Sequence, residues 1–373
     1  MTAPSSPADP ALAQARWQRV RSRMTDLDVD ALLLSLGADL PWLTGYEAMP
    51  LERLTMLVLP VADEATLVVP RLEEPRVERR PELFSVQPWE EGDDPVALVA
   101  GLVGERSHLA VSDRTWATFV LALQSALPAA SWRPASAVTA PLRAVKDAGE
   151  VAALRRVAQA ADRVADELVG GQIRLVGRSE AEVAQEIDRR LRDEGHEEVN
   201  FVIVGSGPNS ASPHHEPGAR IIRAGEAVVC DFGGTRSGYC SDITRTVFTG
   251  VPPADFQDLY DVLEEAQAAA VAAAVVGTPC EDVDRAAREI ISEAGYGPDF
   301  LHRTGHGIGL EEHEEPYIIA GNPEPLAPGH AFSVEPGIYL RDRWGARIED
   351  IVVATQNGPE RLNHTPRSLA VVG

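Results

Sequence analysis

The chain is short of basic residues, nearly free of cysteine, and has no long apolar run. Its 34 lysines and arginines stand against 57 aspartates and glutamates, giving 373 residues a formal charge of −23. With a pI near 4.8, such a surface repels nucleic-acid phosphates and anionic membrane faces, so neither is an expected partner. The three cysteines, Cys230, Cys240 and Cys280, are too few and odd in number for a disulfide framework. They suit a reducing cytoplasm. Cys230 continues the apolar run Ala227-Val228-Val229 and reads as a small buried strand residue rather than a metal ligand. No stretch of 18 apolar residues is present to span a membrane. The opening M-T-A-P-S-S-P-A-D-P has neither a basic start nor an apolar centre, so no signal peptide is expected and these ten residues are expected to be disordered.

What is present is an ordinary globular composition, 44% hydrophobic, long enough for two domains. Over 1–140 the pattern alternates. Residues 11–27 and 114–126 read as helices, and 31–36, 54–59 and 66–69 as strands, which makes an α/β domain. The segment 134–143, with two prolines among small residues, is the expected linker. From 141 to 373 helices come in pairs and strands in groups, so this domain reads as α+β. Helices are expected over 151–168, over 179–195 behind a Ser179/Glu182 capping box, and over 255–276 and 281–294. Strands are expected at 199–204, 227–232, 243–248, 331–334 and 347–354.

Several segments carry chemistry. Asp231 ends an apolar strand and Asp242 begins another, with Gly-Gly, Gly238 and serines supplying turn residues between them, so a hairpin is expected. Alone, this pair would read as two solvated aspartates. The segment H-R-T-G-H-G-I-G-L-E-E-H, from His302 through His306 to His313, interleaves histidines with glycines. That pattern suits ligands or proton carriers at a closely approached site. Glu335 follows an apolar strand and precedes Pro-Gly, so it must be solvated, paired or metal-bound. Glu349 lies in an apolar strand with Arg347 on the same face, while Asp350 faces away. A loop at 205–215 carries His214 and His215, one of which is expected to be ordinary.

In this order and these contexts, Asp231, Asp242, His306, Glu335 and Glu349 closely resemble the metallopeptidases of the pita-bread fold, a group that includes methionine aminopeptidase, aminopeptidase P and prolidase. The resemblance covers 150–373 strongly, and the first half is similar to the extra domain of the Xaa-Pro branch. It implies a pita-bread catalytic domain in which those five residues hold two divalent ions, manganese first, with cobalt or zinc as alternatives. Asp242 and Glu349 would bridge the ions. His214, His302 and His313 would be the other active-site histidines, catalytic and in contact with the substrate, and of the two flanking residues Tyr339 would meet the substrate and Arg347 would be catalytic. Glu335 would accept a proton from the attacking water, and His313 or His214 would stabilise the oxyanion.

The R-I-E-D context of Glu349 and the presence of His302 favour the Xaa-Pro branch over methionine aminopeptidase. Some prolidases place an arginine four residues after the histidine that matches His313. Here that position is Tyr317, so either the substrate carboxylate would be met elsewhere, with Arg53 or Arg71 as candidates, or longer peptides are accepted. The resemblance thus implies a cytoplasmic, homodimeric Xaa-Pro dipeptidase acting on short proline-containing peptides, its N-terminal domain excluding longer chains. The alternatives are an aminopeptidase P, a creatinase-like amidinohydrolase, and a binding protein on a retired scaffold. The complete ligand set disfavours retirement.

Overall fold

The computed structural model describes residues 10–373, and the chain divides into two compact units at Arg143/Ala144. The expected disorder of the first ten residues concerns positions outside the described range, except Pro10, which opens the first helix.

The first unit holds α1 (Pro10–Asp26), β1 (Ala31–Leu34), α2 (Asp39–Thr44), β2 (Met56–Pro60), β3 (Ala65–Pro70), β4 (Phe84–Trp89), α3 (Pro95–Val103), β5 (His108–Val111), α4 (Ala117–Ala126), β6 (Ser131–Pro134) and α5 (Ser136–Ala144). Its strands form one mixed sheet in the order β4-β3-β2-β1-β5-β6. β1 is buried on both faces, which explains why it reads as an unbroken apolar run rather than an alternating one. The expected linker at 134–143 is instead mostly the helix α5, with Pro141 inside it. A proline there leaves the carbonyl four residues back without its helical donor. Arg23 Nε donates to that carbonyl, Ala137 O, at 3.2 Å. A tertiary bond thus offsets what local sequence forbids.

The second unit begins with α6 (Ala148–Val169) and α7 (Glu180–Asp193), each opened by a complete capping box, at Asp147/Glu150 and Ser179/Glu182. They cover the sheet of β7 (Glu198–Ser206), β8 (Ala227–Arg236), β9 (Tyr239–Cys240), β10 (Ile243–Thr249) and the C-terminal strand Ala370–Val372. A core of Val164, Leu168, Val183, Ile187, Val228, Cys230 and Val247 fills the space between. The second helix pair, α8 (Ala254–Ala273) and α9 (Cys280–Glu293), packs on a second sheet. That sheet contains β11 (Gly305–Gly307), β12 (Glu314–Ile318), β13 (Ala331–Val334), β16 (Asp350–Thr355) and β17 (Gly358–Arg361). The short hairpin of β14 (Gly337–Leu340) and β15 (Trp344–Arg347) follows β13, and the C-terminal strand is β18. A mixed-sheet α/β first unit followed by an α+β second unit, its helices in two pairs, is the architecture. No described helix is long and apolar enough to cross a membrane.

The aspartate hairpin is present but longer than expected. β8 runs five residues past Asp231, and Asp231 pairs with Thr244, not Asp242. The turn sits at Ser237–Gly238, both at positive φ, the backbone a tight two-residue turn requires. Gly233 and Gly234 are strand residues. A methyl group at Gly233 would overlap the Ser241 carbonyl oxygen, so close approach and not turning selects glycine there. The expected strand 347–354 is likewise broken, and Ile348–Glu349 link β15 to β16.

Candidate metal centre

The two sheets of the second unit approach one another where their strands carry acidic residues. Asp231 lies on β8, Asp242 just before β10, His306 on β11, Glu335 just after β13 and Glu349 just before β16. The join is held by backbone and threonine hydrogen bonds. Glu349 N donates to Thr244 O at 3.1 Å and Thr246 Oγ1 donates to Arg347 O at 2.9 Å, while within the second sheet Glu335 N donates to Thr304 O at 2.7 Å. Behind them Arg245 donates to Glu349 O at 2.6 Å and to Asp350 Oδ1 at 2.7 Å, in a buried network that also takes in Gln267. Asp350 therefore faces away from the site, as its strand position requires.

The five residues converge. Donor atoms of Asp242, His306 and Glu349 lie within 4.8 Å of one another, all three residues buried. His306 Nε2 is 3.2 Å from Glu335 Oε1 and 3.7 Å from Asp242 Oδ2. His306 Nδ1 is 3.2 Å from Gly307 O. A carbonyl only accepts, so Nδ1 carries the proton of the neutral ring and the Nε2 lone pair faces carboxylate oxygens. Lone pairs facing lone pairs call for a cation between them.

The same is true of three orphaned oxygens. Asp231 Oδ1, Asp242 Oδ1 and Glu349 Oε1 are buried with no hydrogen-bond partner. Their second oxygens are engaged or directed. Arg347 Nη2 donates to Asp231 Oδ2 at 2.6 Å, and Thr244 Oγ1 donates to Glu349 Oε2 at 2.7 Å. Burial and mutual repulsion push Asp242 and Glu349 well above the ordinary carboxylate range. Burial also raises Asp231, with Arg347 opposing it. A buried carboxylate cluster that loses its protons needs a compensating positive charge, and a metal-type donor set of oxygens plus one imidazole fits divalent ions.

Glu335 goes the other way. Burial opposes its ionisation, but the hydrogen bond and charge that His306 offers when protonated, with His302 and Arg347, draw its carboxyl down toward about 2; a neutral His306 withdraws the first of these. Arg347 is the organiser. Besides Asp231 it donates to Thr244 Oγ1 at 3.0 Å and to Tyr339 Oη at 2.8 Å. His302 Nδ1 lies 2.7 Å from the Arg303 carbonyl and must donate to it, so Nε2 accepts from Tyr339 Oη at 2.8 Å. Burial lowers the His302 pKa, in keeping with that neutral ring. Tyr339, expected at the substrate, is thus one step behind, bridging Arg347 and His302.

The residues open onto a cavity of about 770 Å³, a volume suited to a small peptide. His214 and His313 line it, and their ring nitrogens have no protein partner among the described residues. The His313 ring stands edge-on to His306, centroids 4.0 Å apart. Burial first, then the charges of His306 and Arg303, push its pKa down to about 4, so it is neutral near pH 7. His215 is the ordinary histidine of its pair. It turns from the cavity to Glu180 at 2.8 Å, which also accepts from Ser206 N and Asn209 Nδ2 and anchors the loop carrying His214. Apolar walls come from Phe201, Ile203, Phe300, Leu301 and Ile319.

Three contributors were not singled out from sequence. Thr244, two residues after Asp242 on the inward face of β10, ties Arg347 to Glu349. Strand alternation was the available signal. Asp284 fixes the histidine segment by accepting from Thr304 N at 3.0 Å. Arg303 lines the cavity with no ion pair. Neither of the last two has a local signal.

Known proteins show the family. Residues 152–356 match Metallopeptidase family M24, and 16–145 match the Creatinase/Prolidase N-terminal domain. A probable dipeptidase PepE of Mycobacterium tuberculosis is 46% identical over 352 residues, 93% of this chain and 93% of that protein. The crystal structure of dipeptidase PepE from Mycobacterium ulcerans superposes with a TM-score of 0.91 at 44% identity, spanning 98% of both chains. A prolidase from Thermococcus sibiricus gives 0.91 at 37% identity over 97% of this chain and 99% of that one. With more than half its length matched to one family and relatives aligned along nearly all of it, the chain belongs to metallopeptidase family M24.

Proposed function

We propose that the protein is a metal-dependent Xaa-Pro dipeptidase, hydrolysing the bond before proline in short peptides. The observation that carries this is the convergence of three orphaned carboxylate oxygens and the His306 lone pair at the base of a peptide-sized cavity. Asp231, Asp242, His306, Glu335 and Glu349 would hold two divalent ions. Such ions polarise a carbonyl and lower the pKa of water.

The chain's own groups supply the rest. Glu335, its carboxylate beside His306 at the cavity, accepts a proton. His313, neutral with free ring nitrogens, donates to the developing oxyanion, and His214 faces it from the loop at 205–215. Arg347 turns the free oxygen of Asp231 inward by holding the other. His302 offers its ring to the wall while Tyr339 fixes its tilt. Manganese as the native ion, a homodimer and a cytoplasmic location belong to the same proposal, and the three buried free thiols are consistent with the last.

The test is hydrolysis of Ala-Pro, Ala-Pro-Ala and creatine by the manganese-loaded protein. Cleavage of Ala-Pro alone is the expected result. Cleavage of the tripeptide in preference would make the protein an aminopeptidase P, turnover of creatine an amidinohydrolase, and silence on all three a binding protein.

A further inference from the structure

We infer that Arg303 receives the C-terminal carboxylate of the dipeptide and so sets the preference for free dipeptides; this rests on the Xaa-Pro dipeptidase reading. The cavity is partly closed from solvent, and an anionic group that enters it needs a cation to replace its lost hydration. A dipeptide carries its carboxylate one residue from the scissile bond, so the cavity needs a cation near its rim.

Three arginines line the cavity: Arg288, Arg303 and Arg347. Arg347 is fully committed to Asp231, Tyr339 and Thr244. Arg288 grips both oxygens of Asp284, at 2.8 and 2.9 Å, and donates to the His302 carbonyl. The half-buried guanidinium of Arg303 has no hydrogen bond and no carboxylate within ion-pair distance among the described residues. It lies over the Tyr317 ring, 4.5 Å from the centroid. This cation–π contact holds the guanidinium at the cavity while its N–H groups stay without a hydrogen-bond partner, and a guanidinium can take a carboxylate through two of them.

The backbone beneath it is fixed on both sides. The Arg303 carbonyl accepts from His302 Nδ1, and Thr304 N donates to Asp284. Leu301 and Ile319, both exposed and both lining the cavity, supply apolar surface for a prolyl ring beside it. The sequence-level candidates are engaged elsewhere. Arg53 pairs with Glu52 and Glu91, and Arg71 with Glu74 and Glu90.

The experiment compares Ala-Pro with Ala-Pro amide on the metal-loaded wild type and on Arg303→Leu, Arg303→Lys and Arg53→Ala. Wild type is expected to favour the free acid. Arg303→Leu should raise KM for Ala-Pro roughly 10- to 100-fold, the range of a lost charge-assisted pair. It should leave the amide nearly unchanged, which also serves as the folding control, and Arg303→Lys should recover part of the loss. Equal effects on acid and amide in both Arg303 variants, no effect in either, or the selective loss appearing in Arg53→Ala instead would overturn the assignment. A wild type that cleaves acid and amide alike overturns carboxylate recognition while sparing the peptidase reading. One that cleaves neither overturns the peptidase reading itself.

Discussion

Arg347 shows how one side chain can govern a site whose reacting groups lie on other strands. Its guanidinium orients Asp231, supports Tyr339 and, through Thr244, steadies Glu349. Replacing Arg347 with leucine should lower metal affinity or kcat/KM about 10- to 100-fold, the usual cost of removing a group that orients ligands. Equilibrium dialysis with manganese, together with Ala-Pro kinetics, reads both. His330 makes a second residue-level prediction, remote from the chemistry. Burial, then Lys146, push its pKa down to about 4, and its Nδ1 accepts the Ala327 N–H. The unfolded chain binds the proton near pH 6.5, the folded one not until about 4. The stability that His330 contributes is therefore present above pH 6.5 and lost as pH falls through about 4, up to ~3 kcal/mol. Urea denaturation at pH 7 and 4.5 should show a smaller pH loss in His330→Gln than in the wild type.

Elements carry the close approaches that make the site. A methyl group at Gly305 would overlap the Ser333 carbonyl oxygen, where β11 lies against the neighbouring strand. Gly305→Ala should cost at least ~2 kcal/mol by overpacking and displace His306, seen as a lower urea midpoint with weaker metal binding. The same scale explains what could be read in advance. The helices with capping boxes and regular apolar spacing, and the strands around Asp231 and Glu335, announce themselves locally. Gly233 and Gly234 were expected in a turn because glycine is also a turn residue, and only the partner strand reveals their true reason. α5 was hidden by Pro141, since the donor that satisfies Ala137 comes from Arg23, more than a hundred residues away. Arg303 was silent because its distinguishing feature is a missing partner, which exists only in three dimensions. The β14–β15 hairpin, four residues a strand, is too short for a period to register.

At the scale of the whole molecule, the second unit stores unfavourable electrostatics at one point. Three buried carboxylates and the half-buried Glu335 share one imidazole and one committed arginine, an arrangement that favours the folded chain only when positive charge is supplied. Ligands that bind only the folded state stabilise it by mass action. Saturating manganese should therefore raise the thermal midpoint of the metal-free protein, and Asp242→Asn together with Glu349→Gln should reduce that rise while leaving the metal-free protein no less stable, because they neutralise the repelling pair. Scanning calorimetry of both proteins, with and without metal, checks this. The central claim is tested most directly by counting ions: titrate metal-free protein with manganese and measure the bound metal per chain after removing the excess. The account requires two ions per chain, with peptidase activity appearing as they bind. A protein that binds none, or that hydrolyses Ala-Pro at full rate after complete chelation, would contradict it.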